Sequence, residues 1–387
     1  MSGAISELPE QEVLSGVLIP QELSPLFNLF EKPEMKKSLI ALAVMAASGA
    51  SMAQVTLYGV ADVAVGATNT APAAGVFSKM NGDKFQAIAN DTLNNGNSRF
   101  GLKGTEKIGG LTAGFNFEAA VSLATGETEA NTFARQSNIS LAGGFGELVI
   151  GRQFTTSYDT VATWELTGAA NYSAVASQFG YVGAGPRENA AIKYNSPKFA
   201  GFGASVTGVL EGNGQYPVKD AAGNVSNKGK YDIGLTYAND KLAAGLSFNK
   251  VTDVSENASL GAKYNFGMAT VAASVNSLKG GPGGNSTLKE GYSLGVSAPI
   301  GAFTLTADVA QATKTNTYKA DGTAVDTGTK TNFLVEAKYA LSKRTFVYAA
   351  FLRDGKLGNV AEKDANGNLN VGGKDVDGYS IGLRHNF

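Results

Sequence analysis

After residue 54 the chain consists of short segments in which apolar residues alternate one by one with polar or small residues. In one segment, Phe115 and Phe117 share one parity, and Asn116 and Glu118 share the other. Because successive side chains of a strand point to opposite faces, this period of two predicts β-strands with one apolar and one polar face. Sixteen segments are candidate strands: 55–65, 98–106, 110–121, 133–141, 147–154, 187–195, 202–210, 231–237, 242–248, 260–266, 268–276, 290–298, 303–309, 332–340, 345–352 and 379–387.

The residues of the polar face indicate where these strands are placed. A soluble β-sandwich also alternates, but it buries its apolar face in a core of Leu, Ile and Phe. Here the second face is rich in Thr, Ser, Asn, Gly and Lys, and small residues occur on both faces. An apolar exterior with a polar lumen is typical of transmembrane β-barrels, which close because lipid cannot pair an open sheet edge. The pattern therefore predicts an all-β fold, a sixteen-stranded antiparallel transmembrane barrel.

The connections between the segments alternate in length as well. Short turns such as 107–110 and 238–241 take turns with long polar connections such as 66–97 and 211–230. Outer-membrane barrels have short periplasmic turns and long outer loops. Tyr and Phe near the strand ends are expected to form girdles at the two membrane interfaces.

The composition excludes most enzyme chemistry. The chain has no Cys and a single His, His385, two residues from the C-terminus. Disulfides and thiolate metal sites are therefore excluded, and a Ser-His-Asp triad would have to use His385, whose surroundings resemble no nucleophile motif. We predict no catalytic residues, no metal site and no cofactor.

Residues 35–53 have the features of a secretory signal peptide. Lys36 and Lys37 precede a short apolar run, and a small-x-small cleavage site ends the segment. The run is too short for a spanning helix. Because a signal peptide belongs at an N-terminus, residues 1–34 are interpreted as a mis-assigned or non-native extension, and residues 54–387 as the barrel.

The charge of residues 54–387 is nearly balanced. Leaving out the six acids and three bases before residue 54 reduces 33 acids to 27 and 32 bases to 29, a net charge of +2. This balance gives no reason to expect nucleic acid as a partner. No later apolar run is long enough for a membrane helix.

One long stretch, 155–185, interrupts the alternation. Unstructured connections beyond about 12–15 residues are uncommon and usually functional. Its acids Asp159 and Glu165 lie between Arg152 and Arg187 in the sequence. If the strands close into a barrel, such a loop can line a constriction. The chain's single tryptophan also lies in this loop and is expected to pack it against the wall or to lie near a subunit contact.

Several segments, in order along the chain, resemble the general trimeric porins of Gram-negative outer membranes, in the form typical of beta-proteobacteria. They are VTLYGVAD at 55–62, SRFGLKGTEKIGGLTAGFNFE at 98–118, GFGELVIGRQ at 144–153, NAAIKYNSPKFAGF at 189–202, ALSKRTFVYA at 340–349 and GLRHNF at 382–387. The resemblance implies a multi-pass barrel in the outer membrane, a third loop folded into the lumen, and a homotrimer in contact with outer-membrane lipid and lipopolysaccharide. It also implies that the terminal aromatic Phe387 is an assembly signal.

The resemblance also implies a set of residues at the pore constriction. Wall arginines, a lumen carboxylate and loop acids correspond, in that order, to Arg99, Arg152, Arg187, Glu118, Asp159 and Glu165. The loop lacks the PEFG motif of the enterobacterial branch.

Strand parity favours an inward orientation for only some of these arginines. Arg99 alternates with Phe100, and Arg187 alternates with Ile192, so both are expected to face inward. Arg152 shares the parity of apolar neighbours and needs a β-bulge near Gly151 to face the lumen. Arg135 has the same difficulty and ranks lower.

Three functions of different class are compatible with the sequence. The first is a general diffusion porin that passes small hydrophilic solutes and ions, with a weak anion preference from the surplus of arginines. The second is a substrate-specific channel, which would present a line of aromatic residues along the pore. The third is an outer-membrane enzyme or adhesin, and the enzyme lacks a catalytic base.

Overall fold

Sixteen antiparallel strands pair in chain order, and the last strand pairs with the first, so that the sheet closes on itself. This computed structural model describes residues 55–69, 82–219, 224–280, 287–318, 324–326, 328–355, 362–363, 369–370 and 375–387. The predicted extension, 1–34, and the predicted signal peptide, 35–53, lie outside the described residues. The sixteen-stranded antiparallel barrel predicted from the alternation is confirmed.

The barrel strands are labelled β1 to β16. Their bounds are Thr56–Thr68, Arg99–Ile108, Leu111–Ala120, Gln136–Gly143, Gly146–Phe154, Arg187–Asn195, Phe202–Val209, Lys230–Ala238, Leu242–Val251, Ser255–Asn265, Thr270–Gly280, Thr287–Ile300, Phe303–Tyr318, Lys330–Ala340, Thr345–Asp354 and Val376–Asn386. Short strands outside this series are Gln86–Ile88, Pro217–Lys219, Val225–Asn227, Ala324–Asp326, Glu362–Lys363 and Leu369–Asn370, and a 3₁₀ turn spans Glu211–Asn213.

The two faces of each strand differ in exposure as the alternation predicts. On β8, the side chains of Ile233 and Leu235 are exposed on the outer surface, whereas Lys230 and Asp232 are buried on the inner one. The outward side chains form the apolar belt that lipid requires, and the inward polar ones surround the lumen. Among the described residues, no helix is long and apolar enough to cross a bilayer.

Aromatic side chains pair at the ends of the strands that are joined by short turns. Three such ring pairs have centroids 4.7 Å apart: Phe202–Tyr237, Tyr264–Phe266 and Phe303–Tyr339. In outer-membrane barrels the short turns face the periplasm, so these rings lie where the interface between the membrane and the periplasm is expected.

Several strands are longer than the sequence predicted. β13 continues to Tyr318, although its alternation ends near residue 309. β10 begins at Ser255, so only residues 252–254 separate it from β9 at the outer end. Backbone pairing continues above the apolar belt, where water bathes both faces, and an apolar pattern cannot report it there.

The C-terminal residue is built into the closure of the barrel. Phe387 and Gly59 exchange two backbone hydrogen bonds, each 3.0 Å long. A Cβ at Gly59 would lie 2.3 Å from Cζ of Phe387. The terminal ring therefore lies directly on the β1 backbone, at a place where only glycine leaves room for it.

Candidate functional site

The long connection between β5 and β6 contains two short helices that the sequence did not predict: α1 (Thr156–Trp164) and α2 (Ala174–Phe179). The hydroxyl of Thr155 caps α1 by accepting from the N–H of Tyr158. From the wall, the Asp232 carboxylate accepts from the N–H and hydroxyl of Ser157 at 2.9 and 2.7 Å. A carboxylate at a helix N-terminus pairs with free N–H groups and with the helix dipole, which stabilises α1 where the loop enters the lumen.

Helix α1 lies against the inside of the wall on a row of glycines. A Cβ at Gly234 or Gly245 would lie 2.5–2.6 Å from side-chain atoms of Thr160. At Gly261 it would lie 2.2 Å from the indole ring of Trp164. These glycines allow the helix to touch the strand backbone. Trp164 is almost fully buried there and packs the loop against the wall, which was one of its two expected positions.

Lysines of the barrel wall also hold the loop. Lys263 donates to the carbonyl of Glu165 at 3.3 Å, Lys338 to that of Thr167 at 2.8 Å, and Lys289 to that of Gln178 at 2.7 Å. Glu165 ends α1, and Gln178 lies in the last turn of α2. Ammonium groups at helix C-termini satisfy free carbonyls and interact favourably with the helix dipole.

A second segment, residues 91–98, also lies against the inner wall, which the sequence did not predict. The Asp62 carboxylate of β1 accepts from the N–H of Gly96 at 2.8 Å and from the amide of Asn94 at 3.3 Å. The hydroxyl of Tyr348 donates to the same carboxylate at 2.7 Å. One buried acid thus organises this part of the first outer connection, and only its inward parity pointed to it in the sequence.

Tyr172 connects the two inward segments. Its hydroxyl donates to Glu336 of β14 at 2.5 Å and accepts from the side-chain amide of Asn95 at 2.7 Å. Burial, together with the charge of Glu336, raises the pKa of the Tyr172 phenol well above its ordinary value. The hydroxyl therefore remains a donor, and the two segments form one continuous inner structure.

A group of arginines surrounds one carboxylate on the wall facing α1. Glu118 is buried, and one of its carboxylate oxygens accepts a hydrogen bond from Nε of Arg135 at 2.7 Å. Nε of Arg99 lies 3.5 Å from the other oxygen. The hydroxyl of Tyr58 also donates to Glu118 at 3.0 Å. Glu118 is therefore a partner of the wall arginines and does not oppose them across the lumen.

Two further arginines lie beside this group without an acid of their own. Arg384 donates to the side-chain carbonyl of Asn95 at 2.7 Å and lies close enough to Arg99 to repel it. Cζ of Arg187 lies 4.8 Å from the centre of the Phe154 ring. Among the described residues, no carboxylate lies within salt-bridge distance of either guanidinium.

Arg152 lies where the sheet loses its regular pairing. Gly151 pairs with Ala191 and Gln153 with Glu188, so Arg152 has no partner on β6, although it pairs with Ser137 of β4, and two residues of β6 are left unpaired opposite it. The Arg152 side chain donates to the carbonyl of Ala134 and, at 2.5 Å, to Asn189. Its guanidinium is thus held next to the backbone that precedes Arg135. The same irregularity breaks the parity argument for Arg187, because alternation does not carry through it.

Tyr158 of the loop interacts with the charges of the arginines, whereas the acid next to it pairs with a lysine. Burial raises the pKa of the Tyr158 phenol of α1, and the guanidinium groups of Arg187, Arg99 and Arg135 oppose the rise, so Tyr158 lies near all three. Asp159, beside it on the exposed side of α1, forms an ion pair with Lys193 of β6.

Glu165, which the resemblance implies at the constriction, has its carboxylate hydrogen-bonded within its own turn. It is 2% exposed, and its carboxylate accepts from the N–H and hydroxyl of Thr167 and from the N–H of Ala169. The Thr167 hydroxyl and two N–H groups of the following turn therefore hold this carboxylate in place.

Comparison with known proteins agrees with this geometry. A family model described as Gram-negative porin matches residues 39–359. The chain belongs to the Gram-negative porin family. It is 34% identical over 377 residues to the outer membrane porin protein 32 of Delftia acidovorans, covering 91% of this chain and all of the relative. It is 29% identical over 382 residues to the major outer membrane protein P.IB of Neisseria lactamica, with the same coverage.

A solved structure shares the fold of this porin. The anion-selective porin from Comamonas acidovorans is 26% identical, with a TM-score of 0.65, and the match covers 87% of this chain and all of the other. As a member of this family the protein is a porin of the Gram-negative outer membrane and crosses that membrane many times.

Two arginines of this porin were missed or ranked low by sequence reasoning. Arg135 immediately precedes β4, so the strand parity that argued against it does not apply. Arg384 has the opposite parity to Ile381 and Leu383 on β16, and this alternation indicates an inward side chain.

Proposed function

We propose that this porin is a general diffusion channel for small hydrophilic solutes and ions, with a weak preference for anions. The observation that carries the proposal is the surplus of guanidinium groups opposite α1. Arg99 and Arg135 share one carboxylate, while Arg187 and Arg384 have none among the described residues. The Comamonas acidovorans neighbour described as anion-selective supports the same sign of preference.

The proposed mechanism needs no bond-making and no catalytic residue. A water-filled lumen removes the hydrocarbon barrier, and α1 narrows the lumen to a size cutoff. Fixed charges at the constriction raise the local concentration of ions of opposite sign. Arginine suits this role because its guanidinium stays charged at any physiological pH, even with like charges nearby. The proposed constriction consists of Arg99, Arg135, Arg152, Arg187, Arg384, Glu118 and Asp159.

The proposed assembly is a homotrimer whose outer belt contacts outer-membrane lipid and lipopolysaccharide. Membership of the porin family and the exposed apolar side chains of the outer surface support it.

The reversal potential of the purified protein in planar bilayers tests the ion preference. In a KCl gradient we expect a potential displaced toward the equilibrium potential of chloride, and a larger displacement at low salt because screening weakens there. A potential on the potassium side would contradict the proposed preference. An open-channel current that saturates with a particular solute would instead support the substrate-specific channel.

A second prediction concerns Phe387, the proposed assembly signal. We expect removal of Phe387 to leave most of the protein outside the outer membrane, measured as the folded fraction in membrane extracts. The control is Gly59→Ala, which keeps the terminal ring but displaces it. This overpacking should cost about 1–3 kcal/mol of stability without preventing insertion. Equal insertion of the shortened chain and the wild type would reject the role of Phe387.

A further inference from the structure

Three cations of the lumen lie beside aromatic rings. Nζ of Lys103 lies 5.1 Å from the centre of the Tyr58 ring. Phe346 has two cations, Nζ of Lys338 at 5.8 Å and Cζ of Arg384 at 5.9 Å. Cations attract the faces of aromatic rings, and these contacts place the positive charges beside apolar, planar surfaces.

These ring–cation pairs occupy neighbouring strands of one wall. Phe346 of β15 pairs directly with Arg384 of β16, which in turn pairs with Asp62 of β1. Tyr58 of β1 pairs with Gly101 of β2, and a Cβ there would lie 2.5 Å from the tyrosine ring. Rings and cations therefore alternate across four adjacent strands, β15, β16, β1 and β2.

Neither ring is closed off from the lumen. Tyr58 and Phe346 point inward and are only partly buried, and Lys103 is exposed. The oxygen of the Tyr58 hydroxyl lies within hydrogen-bond distance of Asn116, at 2.8 Å, and of Glu118, at 3.0 Å, which fixes the orientation of its ring beside the arginine group. An anion that reaches Arg99 or Arg384 therefore passes a fixed aromatic surface.

The loop adds a third aromatic surface on the other side of the arginines. The rings of Phe154 and Tyr158 stack with centroids 4.6 Å apart, and Tyr181 follows at 4.7 Å. Arg187 covers the other end of this stack. Charged and aromatic groups thus border the passage from both the wall and the loop.

We propose that this lumen favours aromatic carboxylates over non-aromatic anions of the same charge and size. A benzene ring carrying one carboxylate matches the arrangement: the carboxylate accepts two N–H bonds from a guanidinium, and the ring packs on Tyr58 or Phe346. A saturated ring offers similar apolar area but lacks the quadrupole that orients aromatic pairs. The inference rests on the proposed anion preference and adds a substrate class to it.

Benzoate and cyclohexanecarboxylate, which share charge and ring size, are the probes. Each is added to the purified porin in planar bilayers, and the concentration that halves the chloride current is measured. We expect the half-blocking concentration of benzoate to be about fivefold lower than that of cyclohexanecarboxylate, because an aromatic pair is stabilised beyond the apolar area that it buries. Equal half-blocking concentrations would overturn the inference.

Variants of Tyr58 and Phe346 test whether these two rings cause the preference for benzoate. The double variant Tyr58→Leu and Phe346→Leu should bring the two concentrations together, whereas Tyr58→Phe and Phe346→Tyr, which keep the rings, should preserve the difference. An open-channel KCl current in each variant shows that the barrel is folded and inserted. If the difference persists in the leucine variant, the rings are not the cause and the inference fails. If instead the KCl reversal potential of the wild type lies on the potassium side, the proposed anion preference itself fails.

Discussion

Replacing Arg99 and Arg135 together by glutamine is expected to turn the anion preference of the channel into a cation preference. Both guanidinium groups neutralise Glu118, so their loss removes two positive charges and also exposes a negative one. A unit charge about 4 Å from a passing ion contributes about 1 kcal/mol in water. After screening, we expect the chloride-to-potassium permeability ratio to fall by about tenfold at low salt.

The opposite substitution provides an internal check on this result. Glu118→Gln keeps both arginines and removes only the negative charge, so it should increase the anion preference. Arg344→Gln removes one positive charge from the exposed short turn between β14 and β15. It should leave the reversal potential nearly unchanged. If the double arginine variant and Arg344→Gln behave alike, the charges beside Glu118 do not control selectivity.

Replacing Gly261 by valine is expected to lower the single-channel conductance. A Cβ at this position would lie 2.2 Å from the Trp164 indole, far inside contact distance. The overlap costs about 1–3 kcal/mol if nothing moves, and the wall strand is held by its neighbours on both sides. Helix α1 should therefore shift away from the wall and into the lumen, which narrows the passage.

Two further variants test this interpretation of the conductance. Adding Trp164→Ala to Gly261→Val removes the obstructing ring and should restore most of the conductance. Gly208→Val places the same side chain in a strand where an added Cβ has no heavy atom within 4 Å, and it should have no effect. A conductance that stays unchanged or rises in Gly261→Val would show that α1 is not pressed between this strand and the lumen.

The barrel could be predicted because its cause is present in every strand. Alternation such as that of Ile233 and Leu235 against Asp232 reports which face meets lipid and which meets water. Lipid then requires closure, since an open edge would leave backbone groups unpaired. Where both faces meet water, as beyond residue 309 of β13, the alternation disappears, so the sequence predicts strands that are too short.

The candidate site was predicted only in part, because strand parity applies only within regularly paired strands. Arg99 begins such a strand, and its alternation with Phe100 predicts an inward side chain. Arg135 lies one residue outside a strand, and Arg152 lies in an irregularity of the sheet, so parity misjudged the first and could not decide the second. Glu165 is predicted at the constriction from the resemblance, and no pattern in the sequence indicates that N–H groups of its own turn bind its carboxylate.

The amino-acid sequence by itself determined the closed sheet, its two faces and the place where a long loop leaves it, because lipid and water act on each residue locally. The tertiary structure alone decided which arginines, among the described residues, have no carboxylate within salt-bridge distance. Asp62 draws residues 91–98 inward, and Asn95 of that segment then holds Arg384. Contacts between residues so far apart in the chain depend on the completed barrel, and no local pattern encodes them.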